Sequence, residues 1–367
     1  MKKVYRHPLF LITAVFLIAV SLIDVIEPDR EFSEAENKYL EQRPSISWNE
    51  VVSGHFETEY EEYIADQFLM RDTWIDMKSA SETALLKIEN NGIAYGKDGY
   101  LFPKFTGYDS RILDANMSAI SSAAERYSGK ITFCVVPSGY AVMQDKLPAG
   151  FPSVDQDELI SEMYSRCEDA QCIDLLEPLR SESGSYIWYR TDHHWTTYGA
   201  YIGYEEICRA WGIEPVSYDS LSLSTCSGFY GTSYYKCKKL GAESDVIIWP
   251  EVDATAVIGG ETKDSLYDLS MLEGRDKYAM FLWNNNARMD ITSNEPGASG
   301  RILVIKDSFA NELVPYLCFN YSEITVIDPR YYQGDYQELL SEDWDQILVL
   351  YNAETICTST YAAMIGS

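Results

Sequence analysis

The side chains most able to do chemistry lie in one short run, Thr191-Asp192-His193-His194-Trp195. The 367 residues include only four histidines, at 7, 55, 193 and 194. His7 belongs to an N-terminal tail and His55 stands alone in a polar stretch, so imidazole chemistry falls to His193 or His194. In an extended segment residues i and i+2 share a side, which would pair Asp192 with His194 and turn His193 away. A carboxylate on one ring nitrogen and a reacting proton on the other is the arrangement of a general base. Two other readings use the same residues. Asp192, His193 and His194 could bind a metal completed by carboxylates, but no H-x-x-H or H-E-x-x-H spacing is present, and neither metal nor cofactor is expected. The histidines could also simply hydrogen-bond in a core.

A base needs a nucleophile. Ser308 follows the apolar run Arg301-Ile-Leu-Val-Ile305 through the turn Lys306-Asp307-Ser308 and precedes a helix expected over Phe309 to about Phe319. A hydroxyl there sits at the carboxyl edge of a parallel sheet, where α/β proteins bind ligands. Free N–H groups at a helix start can hold an oxyanion. The plainer role for Ser308 is a helix cap.

The elements that must position these groups alternate from about residue 110. Helical stretches are expected over 111–127 and 155–168, with a strand over Ile131–Val136 and a short one over Ile173–Leu175. Thr196 or Thr197 caps a helix carrying Ala200, Tyr204, Ile207 and Trp211 on one face. Strands follow at Ile324–Ile327 and at Gln346–Tyr351, the latter ending on Asn352. Continuous apolar runs read as strands buried on both faces, and strand-turn-helix-strand order builds a parallel sheet. The fold expected is α/β, with a central, mainly parallel sheet flanked by helices. Residues 215–300, richer in Gly, Ser and Tyr, read as an insertion. Upstream, Ile93–Tyr95 and Tyr100–Phe102 make a hairpin around Gly96-Lys97-Asp98-Gly99, residues 57–90 a helix, and 28–55 an irregular stalk.

At the N-terminus Lys2, Lys3 and Arg6 precede an apolar stretch from Leu9 to Ile23, and Asp24, Glu27 and Asp29 follow it. Positive before and acidic after orients the chain with its bulk outside the cytoplasm. The expected layout is tail and signal anchor over 1–27, stalk and helical segment over 28–90, and the main domain over 91–367. The alternatives are a cleaved signal at Ala19-Val20-Ser21, giving a secreted protein, and a buried core helix. The net charge of -28, from 57 acidic against 29 basic side chains, excludes nucleic acid as a partner. Hydrophobic residues at 46% suffice for a large core. Of the eight cysteines, Cys167/Cys172 and Cys226/Cys237 are spaced for bridges, while Cys134, Cys208 and Cys318 sit in apolar patterns as core thiols.

The run Tyr189-Arg-Thr-Asp-His-His-Trp-Thr-Thr-Tyr-Gly-Ala-Tyr201 resembles the signature of the DHHW protein family. That family is similar to the SGNH-hydrolase-like domains of alginate O-acetylation proteins. Ser33-Glu34-Ala35-Glu36-Asn37, Asp66–Arg71, Gly96–Phe102 and Ile305-Lys-Asp-Ser-Phe-Ala-Asn311 carry further likeness. The resemblance implies an SGNH-like fold, Asp192 and His194 as acid and base, and Ser308 as nucleophile. It leaves His193 and Trp195 as support, with Asn352, or else Asn311, as oxyanion donor. The implied activity is O-acetylation of an extracellular or cell-wall polysaccharide, the acetyl group delivered by a membrane-bound O-acyltransferase. A carbohydrate esterase with the same triad and a non-catalytic glycan-binding scaffold are the alternatives. One departure is Lys306, where the wider superfamily has Gly, which would crowd substrate at that turn.

Overall fold

The computed structural model describes residues 8–33 and 38–366. The basic tail and residues 34–37 of the N-terminal likeness lie outside the described residues. The chain divides into two units, Met1–Lys87 with Lys238–Leu240, and Ile88–Cys237 with Gly241–Ser367.

In the first unit the apolar stretch forms a helix over Pro8–Ile26, 19 residues long. At ~1.5 Å per residue it reaches about 28 Å, just short of the ~30 Å hydrocarbon core of a bilayer. Among the described residues no helix is long and apolar enough to cross a membrane. Leu9, Phe10, Ile12, Phe16 and Leu22 are exposed, so a core helix is not what forms. The helix expected over 57–90 is two helices, His55–Gln67 and Arg71–Ala84. Met70 between them is left-handed at φ 56°, a break that no Gly or Pro announces. The stalk holds a short helix, Trp48–Ser53, capped by the Ser47 side chain.

The second unit is built on an eight-stranded sheet: β1 Ile131–Val136, β2 Gln171–Ile173, β3 Ala254–Ile258, β4 Glu261–Lys263, β5 Arg288–Ser293, β6 Arg301–Lys306, β7 Glu323–Ile327 and β8 Gln346–Asn352. Their spatial order is β4-β3-β5-β7-β6-β8-β1-β2. Strands β7, β6, β8, β1 and β2 run parallel. Strands β5, β3 and β4 are joined antiparallel. The sheet is therefore mixed rather than mainly parallel, and its antiparallel edge comes from the segment expected to be an insertion. That edge hides in the sequence because only one face is buried there. Thr255 and Thr292 alternate with buried Ala256 and Ile291, the pattern of a half-solvated sheet. β1, by contrast, is buried at every position.

Helices cover the parallel half. Ser110–Arg126 starts at the Asp109 cap and buries Leu113, Met117, Ile120 and Ala124, a helical stripe. Thr196 caps Thr197–Trp211 by accepting the Gly199 N–H. Two glycines there admit Trp195: a Cβ on Gly203 would stand 3.1 Å from its ring. The hairpin forms between Ile93–Tyr95 and Leu101–Pro103. The helix expected over 309–319 is instead a 3₁₀ turn, Ser308–Asn311, and one short helix, Val314–Leu317. Pro315 has no N–H to continue the preceding turn. All eight cysteines are free thiols, with Cys134, Cys208 and Cys318 buried. Cys172 Sγ faces the Cys167 carbonyl at 3.7 Å, so neither sequence-adjacent pair is bridged.

Candidate active site

β6 lies between β7 and β8, and the chain passes from β6 to β7 on one side before returning to β8 on the other. Such a switch opens a crevice at the carboxyl ends of the strands. Ser308 and Asn352 both sit there. The Asp307 carboxylate ties the turn together, accepting the Phe309 N–H at 3.0 Å and the Asn352 N–H at 2.8 Å.

The histidines reach this edge on a closed loop. Thr196 N–H donates to the Ile187 carbonyl, and Tyr189 N–H to that of His194. Trp188 and Trp195 pair across the neck. Asp192 and His194 meet as expected, though not by extension: the segment is a series of bends. Asp192 Oδ1 accepts the His194 backbone N–H at 3.0 Å and its Nδ1–H at 2.6 Å. Since an ionised carboxylate only accepts, His194 carries its proton on Nδ1. Its Nε2 then accepts from the Ser308 hydroxyl at 2.8 Å. Asp192, His194 and Ser308 thus form one hydrogen-bonded chain spanning 116 positions of sequence.

Electrostatics keep the carboxylate charged. Burial alone would raise the Asp192 pKa, but the imidazoles of His193 and His194 and the bonds from His194 outweigh it and hold it well below the usual range. Its second oxygen is saturated too: Oδ2 accepts Thr232 N–H at 2.7 Å and Thr232 Oγ1–H at 3.0 Å. The His194 ring stacks on Tyr278, centroids 4.0 Å apart and planes nearly parallel. The Tyr278 hydroxyl donates to the Ser308 carbonyl at 3.0 Å. Trp195 braces the same turn, its Nε1–H donating to the Phe309 carbonyl at 2.9 Å.

His193 makes no bond to Ser308; its Nδ1 lies on Thr232 Oγ1 at 2.7 Å. Desolvation and the neighbouring His194 lower its pKa to about 4, although 39% of the side chain is open to solvent. Asp192, His193 and His194 offer ligand atoms within 4.8 Å of one another. Both oxygens of Asp192 and both nitrogens of His194 are already engaged, so the cluster does not fit a metal. His55 lies on the surface, its Nε2 3.1 Å from the Glu59 carboxylate.

The amide donors expected for an oxyanion are committed elsewhere. Asn352 Nδ2–H donates to the Val136 and Pro137 carbonyls, and its Oδ1 accepts the Glu354 N–H. Asn311 Nδ2–H donates to Asn285 Oδ1 at 3.4 Å, while its Oδ1 accepts from Lys306 Nζ at 2.7 Å. Nor does a long helix follow Ser308 to contribute a dipole. The Ser308 N–H, first in its 3₁₀ turn, has no acceptor within that turn. Lys306 does not crowd the crevice. It is buried and its ammonium is turned into a network with Asn285, Asn311 and Asp328. Burial lowers its pKa to about 8.

Other supporting groups came from stretches where the sequence carried no motif. Asp245, buried, accepts from Arg190 N–H, Thr191 N–H and the Tyr186 hydroxyl, fixing the entry to the loop. Gly231 packs so tightly on Asp192 that a Cβ there would stand 2.6 Å from Cγ. The only hint of Gly231 and Thr232 was a Gly-Thr pair in a Tyr-rich segment. Beside the loop lies a recess of about 30 Å³, lined by Phe102, Ser138, Trp188, His193, Phe309 and Glu354 among others.

Residues 89–327 match the model of the DHHW protein family. The chain belongs to that family. A DHHW family protein of Eubacterium siraeum shares the fold at TM-score 0.63, with 20% identity over 76% of this chain and 96% of that one. Bacillus cereus PatB1, in a structure with a sulfonyl adduct, matches at TM-score 0.59 and 20% identity, covering 73% of this chain and 98% of that one. Among curated proteins, a probable alginate O-acetylase, AlgJ of Azotobacter vinelandii, is 24% identical over 162 residues, 41% of this chain and 42% of that protein. AlgJ of Pseudomonas putida is 22% identical over 42% of each. The chain thus spans less than half the length of these curated relatives.

Proposed function

We propose that this DHHW protein is a serine-dependent O-acyltransferase that places acetyl groups on hydroxyls of an extracytoplasmic polysaccharide. The carrying observation is the chain Asp192–His194–Ser308, with links of 2.6 and 2.8 Å. The distant likeness to alginate O-acetylases supports the same chemistry.

Ser308 Oγ attacks the donor carbonyl as its proton passes to His194 Nε2, and the leaving group departs with that proton. An acetyl group is left on Oγ. An acceptor hydroxyl then gives its proton to the same nitrogen, attacks the acetyl carbon and displaces Ser308 Oγ, which is reprotonated. Asp192 holds the ring's tautomer and offsets the imidazolium charge. The Ser308 N–H is the proposed donor to the developing oxyanion. The exposed apolar helix over Pro8–Ile26 is proposed to hold the chain at the membrane. A membrane-bound acyltransferase is the proposed source of the acetyl group.

With water as acceptor the same steps make an esterase. Purified protein given p-nitrophenyl acetate and an oligosaccharide mixture separates the two. Acetylated sugar that vanishes in Ser308→Ala supports transfer, whereas free acetate alone refutes it.

A further inference from the structure

His193 is the family-motif histidine that the proposed triad does not use. Its tautomer follows from its partners. Thr232 has one hydroxyl proton, and Asp192 Oδ2 at 3.0 Å, being ionised, can only accept it. Thr232 Oγ1 must therefore accept from His193, which places the His193 proton on Nδ1. That leaves Nε2, on the opposite edge of the ring, as a bare acceptor. The ring is 39% exposed and lines the recess with Ser138, Trp188, Phe309 and Glu354. Its centroid lies 3.9 Å from that of His194.

The two imidazoles lie side by side, tilted 39°; His194 Nε2 faces the Ser308 hydroxyl, and His193 brings a second unprotonated Nε2 beside that site. The recess offers about 30 Å³, more than the roughly 10–15 Å³ that one water needs, so a hydroxyl fits in it. We propose that His193 Nε2 accepts a hydrogen bond from the hydroxyl adjacent to the one being acylated, so that the site selects acceptors carrying vicinal diols. The proposal rests on Ser308 and His194 acting as proposed above. It assigns His193 to the second half-reaction only: the first hydroxyl loses its proton to His194 and bonds to the acetyl carbon, while the second stays intact on His193.

The test uses the full chain in detergent, with p-nitrophenyl acetate as donor and either trans-1,2-cyclohexanediol or cyclohexanol as acceptor. The burst of p-nitrophenolate reports acetylation of Ser308, and acetyl ester appearing on the alcohol reports transfer. Wild type should favour the diol by on the order of tenfold, as expected for one added hydrogen bond and beyond the twofold statistical factor. His193→Phe keeps the ring shape without the acceptor and should lose the preference in whatever transfer it still supports. His193→Gln, which restores an acceptor oxygen, should recover part of it. Equal diol preference in wild type and His193→Phe overturns the proposal. So does loss of the burst in both variants, which would tie His193 to the first step or to folding. No preference for the diol in a wild type that does burst also overturns it. Absence of a wild-type burst instead defeats the Ser308 reading on which it depends.

Discussion

Replacing Gly231 by Ala adds one methyl group against the carboxylate that orients the proposed base. Its Cβ would stand 2.6 Å from Asp192 Cγ, and closer still to Cβ and Oδ2, where ordinary contacts begin at 3.4 Å. Backbone strain is not the cause, because Gly231 does not have a positive φ. The clash is relieved only if Asp192 or the 231–232 turn moves by about 1 Å, and either shift stretches the Thr232 bonds to Oδ2. A displacement of ~1 Å at catalytic geometry can cost ~10²-fold in rate, and removing the carboxylate's charge from such a triad costs ~10⁴. Gly231→Ala is therefore expected to lower kcat by about 10² to 10⁴, with an overpacking cost of about 1–3 kcal/mol. Gly184→Ala is the control, since a Cβ there meets nothing within 4 Å. It should leave kcat unchanged. Steady-state release of p-nitrophenolate and urea denaturation measure both quantities. A Gly231→Ala enzyme with wild-type kcat would show that the position of Asp192 does not matter, and the reasoning would fail.

Three further outcomes follow from buried groups and from the N-terminal helix. Glu312 is buried, its Oε1 accepting from Tyr189 at 2.6 Å, and burial raises its pKa well above the usual range. The folded state therefore keeps a proton that the unfolded chain releases above pH ~4.3, so this side chain costs stability as pH rises. Glu312→Gln should be more stable than wild type, with an advantage growing by up to ~1.4 kcal/mol per pH unit from pH 5 upward, and a flat difference across pH in denaturant titrations refutes this. Lys306→Met leaves the Oδ1 acceptors of Asn311 and Asn285 without that donor, while Arg330 still pairs with Asp328 at 2.9 Å through Nε. The expected loss is about 2–4 kcal/mol, read from the urea midpoint. A change below 0.5 kcal/mol would mean that the network is not formed. Deleting residues 1–27 should move the protein from the membrane pellet to the soluble fraction, and an unchanged distribution would remove the anchor from the account.

The parts of the fold legible in the sequence were those dominated by burial. Ile131–Val136, Arg301–Ile305 and Gln346–Tyr351 are apolar at nearly every position because they lie inside the sheet, and each formed the strand expected of it. The pairing of Asp192 with His194 was also legible, although its geometry is a turn closed by the His194 N–H rather than an extended strand. The antiparallel edge was not legible, since its outer face alternates with Thr and Asp. Pro315 signalled the broken helix after Ser308, but the apolar pattern around it masked that signal. Gly231, Thr232, Tyr278 and Asp245 reach the site through tertiary packing alone. Nothing in their local spacing marks them. Asn352 and Asn311 had the right residue type at the right edge, but backbone carbonyls and Lys306 claim their side chains.

The nucleophile is the centre of the account, and acetylation of Ser308 tests it most directly. Protein mixed with p-nitrophenyl acetate, quenched in acid within the burst and digested, should yield one acetylated peptide, containing Ser308. Ser308→Ala should yield none, and His194→Ala should yield it far more slowly. Equal acetylation of wild type and Ser308→Ala, or acetyl groups confined to other residues, would contradict the assignment.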